Sequence, residues 1–347
     1  MPSENLERNQ ATASLQLAID QLVEDGVPDR AINELKGGLA RIINNCEKFG
    51  KEILTKKKLL FKRPVKSVVI TSTDKTKRLI ALDSERYDNM VSKFTIDTGN
   101  YKPLKRLNLP RTEQINFNKV LNKVANKYKS SGPKMYNNIR ANIWSEPMPC
   151  PVYCLPKDHK EGDLKGRPIH AATDTQLSKY LAKQLNMLLC YVPAHLRNTT
   201  DFIEFISNLD YSSIHGFLSL DVCNLYGSIP LDDLNENTPT VFTVTKRFFH
   251  EHKKNCELRT LEDDDFETLV RLCLTSDNLL IGDESYKQKS GLAMGNNLAP
   301  SLAIIYMNEL DSLIVSQAEG HILLKRYIDD YFVVLLPGTL LQNLAFW

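Results

Sequence analysis

The run Arg326-Tyr327-Ile328-Asp329-Asp330-Tyr331-Phe332-Val333-Val334 sets two adjacent carboxylates between residues that favour strands. Tyr, Ile, Phe and Val suit a pleated, half-buried surface, whereas Asp-Asp suits a tight turn. The run therefore predicts a short β-hairpin with both aspartates at its tip. Neighbouring carboxylates repel and lose hydration on burial, so such a tip calls for a cation. Taken alone, the pair also fits an ordinary hairpin turn. A second run shifts that balance: Gly216-Phe217-Leu218-Ser219-Leu220-Asp221-Val222-Cys223-Asn224-Leu225-Tyr226-Gly227-Ser228-Ile229-Pro230. From Phe217 to Val222 it is mostly apolar and broken by one acid, which predicts a buried strand that delivers Asp221 at its end. Two such strands side by side gather Asp221, Asp329 and Asp330. An all-oxygen donor set favours hard divalent ions, Mg²⁺ ahead of Zn²⁺. Two ions about 3.5–4 Å apart stabilise both the attacking and the leaving oxygen of a phosphoryl displacement.

Further stretches complete a pattern. Gly291-Leu-Ala-Met294-Gly295-Asn-Asn-Leu298-Ala-Pro300 lies between the two acid-bearing runs. Upstream stand Leu155-Pro156-Lys157-Asp158-His159-Lys160 and Arg167-Pro168-Ile169, and earlier still Asp74-Lys75. In this order the segments around Asp221, Gly291–Pro300 and Tyr327–Asp330 resemble motifs A, B and C of reverse transcriptases. The Leu-Pro-Lys…Arg-Pro-Ile signature, Asp74-Lys75 and the Leu-Tyr-x-Ser-Ile-Pro tail of motif A resemble Penelope-like retroelements, relatives of telomerase. The resemblance spans roughly residues 67–336, and ordered motifs at consistent spacing are far more specific than any one of them.

The resemblance implies an α+β, right-hand polymerase fold of fingers and palm, with an antiparallel palm sheet and an N-terminal helical extension. Its division would be 1–66 for the extension, 67–215 for the fingers region and 216–347 for the palm. The implied activity is RNA-directed DNA polymerisation, with RNA template, DNA primer and deoxynucleoside triphosphates as partners and two Mg²⁺ ions as cofactors. Asp221 and Asp329 would be ligands of both ions, and Asp330 a weaker contributor. Lys157 and Arg167 would reach the β- and γ-phosphates, Arg as a two-toothed fork and Lys as a point charge. Tyr226, five residues after Asp221, occupies the place of the aromatic gate that excludes a ribose 2′-hydroxyl. Gln288, Gly291 and Gly295 would shape the nucleotide pocket, the glycines by letting backbone approach closely. Lys75 and Tyr327 would touch nucleic acid.

The sequence departs from the family in places. Thr76 replaces the glycine that usually follows Asp-Lys, and Asn296-Asn297 stands where many members carry Ser-Pro. After Asp330 only 17 residues follow. The resemblance thus implies a chain cut after motif C, with no thumb and no GIY-YIG nuclease, that polymerises poorly. A non-catalytic nucleic-acid-binding remnant is the first rival reading, and an RNA-templated RNA polymerase, disfavoured by Tyr226, the second.

Composition sets outer bounds. Apolar residues make up 42% and charged residues 25%, the proportions of an ordinary globular protein. No apolar run reaches a membrane span and the polar start is no signal peptide, so the expectation is an intracellular, nuclear protein without membrane contact. Oligomeric state is left open. The net charge of +2 hides an asymmetry: residues 1–215 carry +11 and residues 216–347 carry −9. A basic front half suits phosphate contacts and an acidic back half suits metal ions. Seven cysteines without secretory features predict reduced, structural thiols, Cys150 and Cys154 included.

Periodicity supplies the local elements. Leu15, Ala18, Ile19, Leu22 and Val23, then Ile32 to Ile53, predict a helical hairpin. The cluster Lys56–Lys58, Lys62, Arg63 and Lys66 reads as a phosphate-contacting or nuclear-import segment, or a solvated linker. Val65–Leu82 predicts two strands, Val152–Leu155 and Arg167–His170 a hairpin, and Asn116–Tyr128 and Ser178–Leu189 helices. Phe266, Leu269, Val270 and Cys273 mark another helix, preceded by an exposed acid run, Glu262–Asp265. A helix over Leu302–Leu313 is expected to be capped by Ser301.

Overall fold

The computed structural model describes residues 68–104, 109–144, 150–157, 164–171, 176–231, 238–275 and 279–338, with Val23, Asp29, Arg30, Ile32 and Asn33. The expected helical hairpin and the basic cluster before residue 67 otherwise lie outside the described residues. The chain forms two compact units, Met1–Gly99 with Tyr153–Ile169, and Asn100–Val152 with His170–Trp347. It passes between them within two strands, β4 (Cys150–Pro156) and β5 (Gly166–His170).

In the first unit, aliphatic and β-branched residues pair as an antiparallel hairpin, β1 (Val68–Ser72) with β2 (Leu79–Asp83), Val68 opposite Asp83. Thr73 closes its loop by accepting the Arg78 amide on Oγ1 and meeting the Thr76 hydroxyl at 2.8 Å. Thr76 is thus a turn-stabilising residue here. Asp83 then starts helix α1 (Ser84–Phe94) by accepting the amides of Glu85 and Arg86, the ordinary cap of orphan helix donors. Met90 and Val91 bury its inner face. Gly166 lies so close to Met90 and Phe94 that a Cβ there would meet them at 3.1–3.2 Å.

The second unit is built around a helical core. Helices α2 (Leu109–Lys127), α3 (Pro133–Arg140) and α4 (Gln176–Leu188) come first, followed by α5 (Thr199–Ser207) and the single turn α6 (Leu225–Ser228). Then come α7 (Val241–His252), α8 (Asp263–Thr275) and α9 (Ala299–Gln317). Leu121, Leu181, Leu185, Phe249, Phe266 and Leu302 are fully buried among them, and Phe249 stacks on Phe266 at 3.8 Å. The helix α7 was not expected from the sequence. Its apolar positions Val241, Val244, Phe248 and Phe249 follow the helical period and are buried.

Two sheets belong to this unit in whole or part. One has the order β3-β8-β7-β4-β5, adding β3 (Tyr101–Pro103), β7 (Leu279–Ile281) and β8 (Glu284–Gln288); it is mixed, since β4 runs parallel to β7. The other is antiparallel, β6 (Gly216–Asp221), β10 (Asp330–Leu335) and β9 (Ile322–Tyr327) in the order β6-β10-β9. The expected α+β class with an antiparallel acid-bearing sheet agrees with this mixed architecture.

Three expectations are corrected. The strand β6 is not buried: it edges its sheet, and Phe217 and Leu220 remain 48% and 37% exposed. The acid run is not exposed throughout. Asp265 is buried, receiving Lys127 Nζ and the Tyr128 hydroxyl at 2.6 Å each. Burial and that carboxylate push the Tyr128 phenol upward. Asp263 is half-buried and meets His250 and Lys253, whereas Asp264, paired with Lys246, stays exposed as expected. Nor does Ser301 cap α9. That helix starts at Ala299 with Pro300 in its first turn, and the Ser301 hydroxyl lies inside it, donating to Asn186 Oδ1 at 2.8 Å.

Candidate functional site

Antiparallel pairing places Asp330 opposite Asp221 and Tyr327 opposite Asp330. Residues directly opposite share a face of the sheet, so Tyr327, Asp330 and Asp221 form one cross-strand row. Asp329 sits beside it in the two-residue turn Ile328-Asp329, and its carbonyl accepts the Val222 amide at 2.9 Å. Both aspartates were expected at the tip; only Asp329 is there, and Asp330 opens β10. The tight connection accounts for this, because Tyr327 and Asp330 already form the closing pair. Two residues further along the same face, Phe332 packs edge-on against Phe202 at 5.0 Å and stacks on Phe217 at 5.6 Å. An aromatic cluster with α5 thus covers that face below the acids, while the acid row itself stays at the rim, with Asp221 exposed.

The donor set of Asp221, Asp329 and Asp330 is all carboxylate oxygen, which matches a hard divalent cation. Among the described residues, no three His, Cys, Asp or Glu side chains form a ready-made metal-holding group. That still fits Mg²⁺, which is usually bound by one or two carboxylates and completes its octahedron with water and substrate phosphates.

The loop between β8 and α9 packs against the segment that follows Asp221. Gly291 has φ +80, and a Cβ there would stand 2.9 Å from Tyr226 O and 3.0 Å from Gly227 Cα. The Gly291 amide donates to Ile229 O at 3.0 Å and the Leu292 amide to Tyr226 O at 2.6 Å. Gly295 has φ +118, and its Cβ would fall 2.2 Å from His170 O. Both glycines are therefore required by the chain's own close passage, a reason the sequence did not reveal. Gln288 lies beneath the same loop, its Nε2 donating to the carbonyls of Ser290 and Gly291 at 2.9 Å each. Asn296 is buried and anchors the loop. Its Nδ2 donates to Cys273 O at 3.0 Å and its Oδ1 accepts the Leu298 amide at 2.9 Å. Tyr226 is half-buried in α6, beside this loop. His170 is buried with Nε2 against the Tyr101 hydroxyl at 2.9 Å. Burial lowers its imidazole to about 4, so it is neutral at physiological pH.

The remaining predicted residues belong to the first unit. Lys75 is exposed in the β1–β2 loop. Lys157 follows β4, and its amide donates to Lys165 O at 2.8 Å. Arg167 opens β5 and pairs through Nη1 with Asp74 Oδ1 at 3.2 Å. Asp74 is 5% exposed, and its amide donates to Pro156 O at 2.8 Å. The Asp-Lys and Leu-Pro-Lys…Arg-Pro-Ile signatures, some eighty residues apart, are thus physically one element. Cys154 is buried here, its thiol pushed up to about 12 by desolvation, as a structural cysteine should be.

Sequence reading missed the residues that hold the acid turn. Arg326 is completely buried and Asp311 nearly so. Asp311 falls on the apolar stripe Ile304-Met307-Asp311-Ile314 of α9, and an acid at a core position of an amphipathic helix is itself a signal for a buried partner.

No protein-family model matches the chain, and no curated protein matches it. Solved structures do. Telomerase from Candida albicans, in complex with a TWJ fragment of telomeric RNA, superposes with a TM-score of 0.51 at 11% identity, over 80% of this chain and 46% of that one. Apo telomerase from Candida tropicalis gives 0.51 at 11% identity, over 80% and 48%. The C. tropicalis enzyme with the same kind of RNA fragment gives 0.52 at 10%, over 80% and 44%. The chain spans about half the length of these telomerases. At such identity the likeness is one of fold alone: most of this chain is folded like about half of these telomerases.

Proposed function

We propose that this chain carries the catalytic region of an RNA-directed DNA polymerase of the Penelope-like type. Its β6-β10-β9 sheet would be the palm and its β4–β5 region part of the fingers. The observation that carries the reading is the register that sets Asp330 opposite Asp221, with Asp329 in the adjoining turn. Asp221, Asp329 and Asp330 would hold two Mg²⁺ ions. When bound, those ions lower the pKa of a primer 3′-hydroxyl and neutralise charge on the triphosphate. Lys157 and Arg167 bind the β- and γ-phosphates, and Asp74 restrains the Arg167 fork against the end of β4. Tyr226 lies beneath the incoming sugar and excludes a 2′-hydroxyl. Gln288, Gly291 and Gly295 set the shape of the loop over the nascent pair. Lys75 and Tyr327 contact the template–primer, and RNA template, DNA primer and deoxynucleotides are the partners. No helix among the described residues is long and apolar enough to cross a membrane.

Primer extension on an RNA template with Mg²⁺, comparing the protein with Asp329→Asn, tests this directly. Removing one carboxylate from a phosphoryl-transfer centre should lower synthesis by at least about 10²-fold, the cost typical of losing one preorganised electrostatic group. Salt-sensitive nucleic-acid binding with no synthesis in either protein would replace the polymerase reading by that of a non-catalytic binder.

A further inference from the structure

Among the described residues, the largest fully buried side chain is a cation, Arg326, three residues before Asp329. Its Nε donates to both oxygens of Asp311 at 3.0 and 3.1 Å, and its Nη2 to Asp311 Oδ2 at 2.6 Å and to Ile304 O at 3.1 Å. Tyr331, the residue after Asp330, donates its hydroxyl to Asp311 Oδ1 at 2.5 Å. The last arm of the guanidinium leaves the cluster: Nη1 donates to Ile328 O at 2.9 Å.

Stability alone explains such a cluster poorly. A buried ion pair is often no better than apolar residues of equal volume, because both charges lose their hydration. What the cluster does here is geometric. Ile328 stands at φ +55, in the left-handed region that a β-branched side chain disfavours. A turn of this kind persists only when its surroundings over-determine it. Arg326 grips the carbonyl of that strained residue, the one joined to Asp329, while Tyr331 pins the far side of the Asp pair to the same carboxylate. Asp311 in turn belongs to α9, whose first residues follow directly from the Gly291–Gly295 loop.

We propose that Asp311, Arg326 and Tyr331 are positioning residues. They hold the Ile328-Asp329 turn in its strained conformation, and so aim the carboxylates of Asp329 and Asp330 from the helix that begins at the nucleotide-side loop. The functional part rests on the polymerase reading; the conformational part does not.

The Val222 amide, donated to Asp329 O, reports the turn without any catalysis. In Tyr331→Phe and Arg326→Lys, hydrogen exchange at Val222 should accelerate by at least 10-fold relative to amides in α4. Tyr331→Phe removes one hydroxyl and keeps the ring in the core, so it is the variant expected to stay folded. In Mg²⁺ titrations of primer extension, both variants should raise the half-saturating Mg²⁺ concentration by 5- to 20-fold and lower kcat, leaving KM for deoxynucleotide within 2-fold. Exchange at Val222 unchanged in both variants would overturn the proposal whatever the protein's activity. Faster exchange with an unchanged Mg²⁺ dependence would overturn its functional half. If the unaltered protein makes no product, the polymerase reading fails, and the exchange measurement still decides whether the cluster holds the turn.

Discussion

Gly295→Ala tests how the loop between β8 and α9 is seated. At φ +118 an alanine Cβ would stand 2.2 Å from His170 O and 3.3 Å from its carbonyl carbon, and real Cβ atoms do not come within 3.0 Å of such neighbours. The obstacle is backbone, and it cannot swing away as a side chain could. Its own amide donates to Met294 O at 2.8 Å, which ties the two segments together. Relief therefore means moving the loop and losing that bond. A non-glycine residue in such a conformation costs about 1–3 kcal/mol. A buried polar group left unpaired adds about 1–3 kcal/mol. The stiffer unfolded chain returns about 0.4–1 kcal/mol. The net expectation is a loss of about 3 kcal/mol. Gly282→Ala is the control: φ is +61 and nothing lies within 4 Å of its Cβ. Only the left-handed penalty of about 1–2 kcal/mol applies there, partly offset by the same unfolded-state gain. Urea unfolding followed by the fluorescence of Trp144, buried in the second unit and stacked on Phe117 at 4.2 Å, measures both. If Gly295→Ala is no more damaging than Gly282→Ala, the close-passage explanation is wrong.

Two further outcomes follow from the same neighbourhood. Because burial lowers the His170 imidazole to about 4, the unfolded chain binds a proton that the folded one refuses. Stability from this residue is complete above pH 6.5 and is lost as pH falls toward 4, by about 3 kcal/mol over the window. His170→Gln, compared with the parent in urea at pH 7.5, 5.5 and 4.5, should flatten that part of the profile; identical slopes would count against a buried neutral imidazole. Tyr226→Ala should admit ribonucleotides at least about 10²-fold better relative to deoxynucleotides, since an unrelieved steric block costs several kcal/mol. Equal sugar discrimination by parent and variant, measured as kcat/KM ratios, would remove Tyr226 from the role of gate.

What the sequence made legible is what period and spacing encode. Alternation in 326–334 and 216–222 is enough to draw the acid-bearing strands and to bring their acids to neighbouring ends. The registers were not legible: the sequence puts both aspartates at the tip, whereas Tyr327 pairs with Asp330, and the pairing of Asp330 with Asp221 is set separately by the contact of β10 with the distant strand β6. What stayed hidden depends on partners distant in the chain. Arg326 reads as a polar flank of a strand, and only the acid at Asp311 makes its burial tolerable. Asp265 reads as one of a solvated run, although it lies four and eight residues before Leu269 and Cys273, on the helix face that is buried. The compact units are likewise discontinuous, since β4 and β5 each leave one unit for the other, and motif order along the chain carries no trace of that. The glycines make the same point from the other side. Gly291 and Gly295 were read as openings for a ligand, because a sequence shows that side chains are missing but not what fills the space. Here backbone fills it, from Tyr226-Gly227 at one glycine and from His170 at the other. On the polymerase reading, a loop held that closely by its own chain would offer a nucleotide a surface already shaped before binding, the condition under which positioning contributes to rate rather than being spent on ordering the loop.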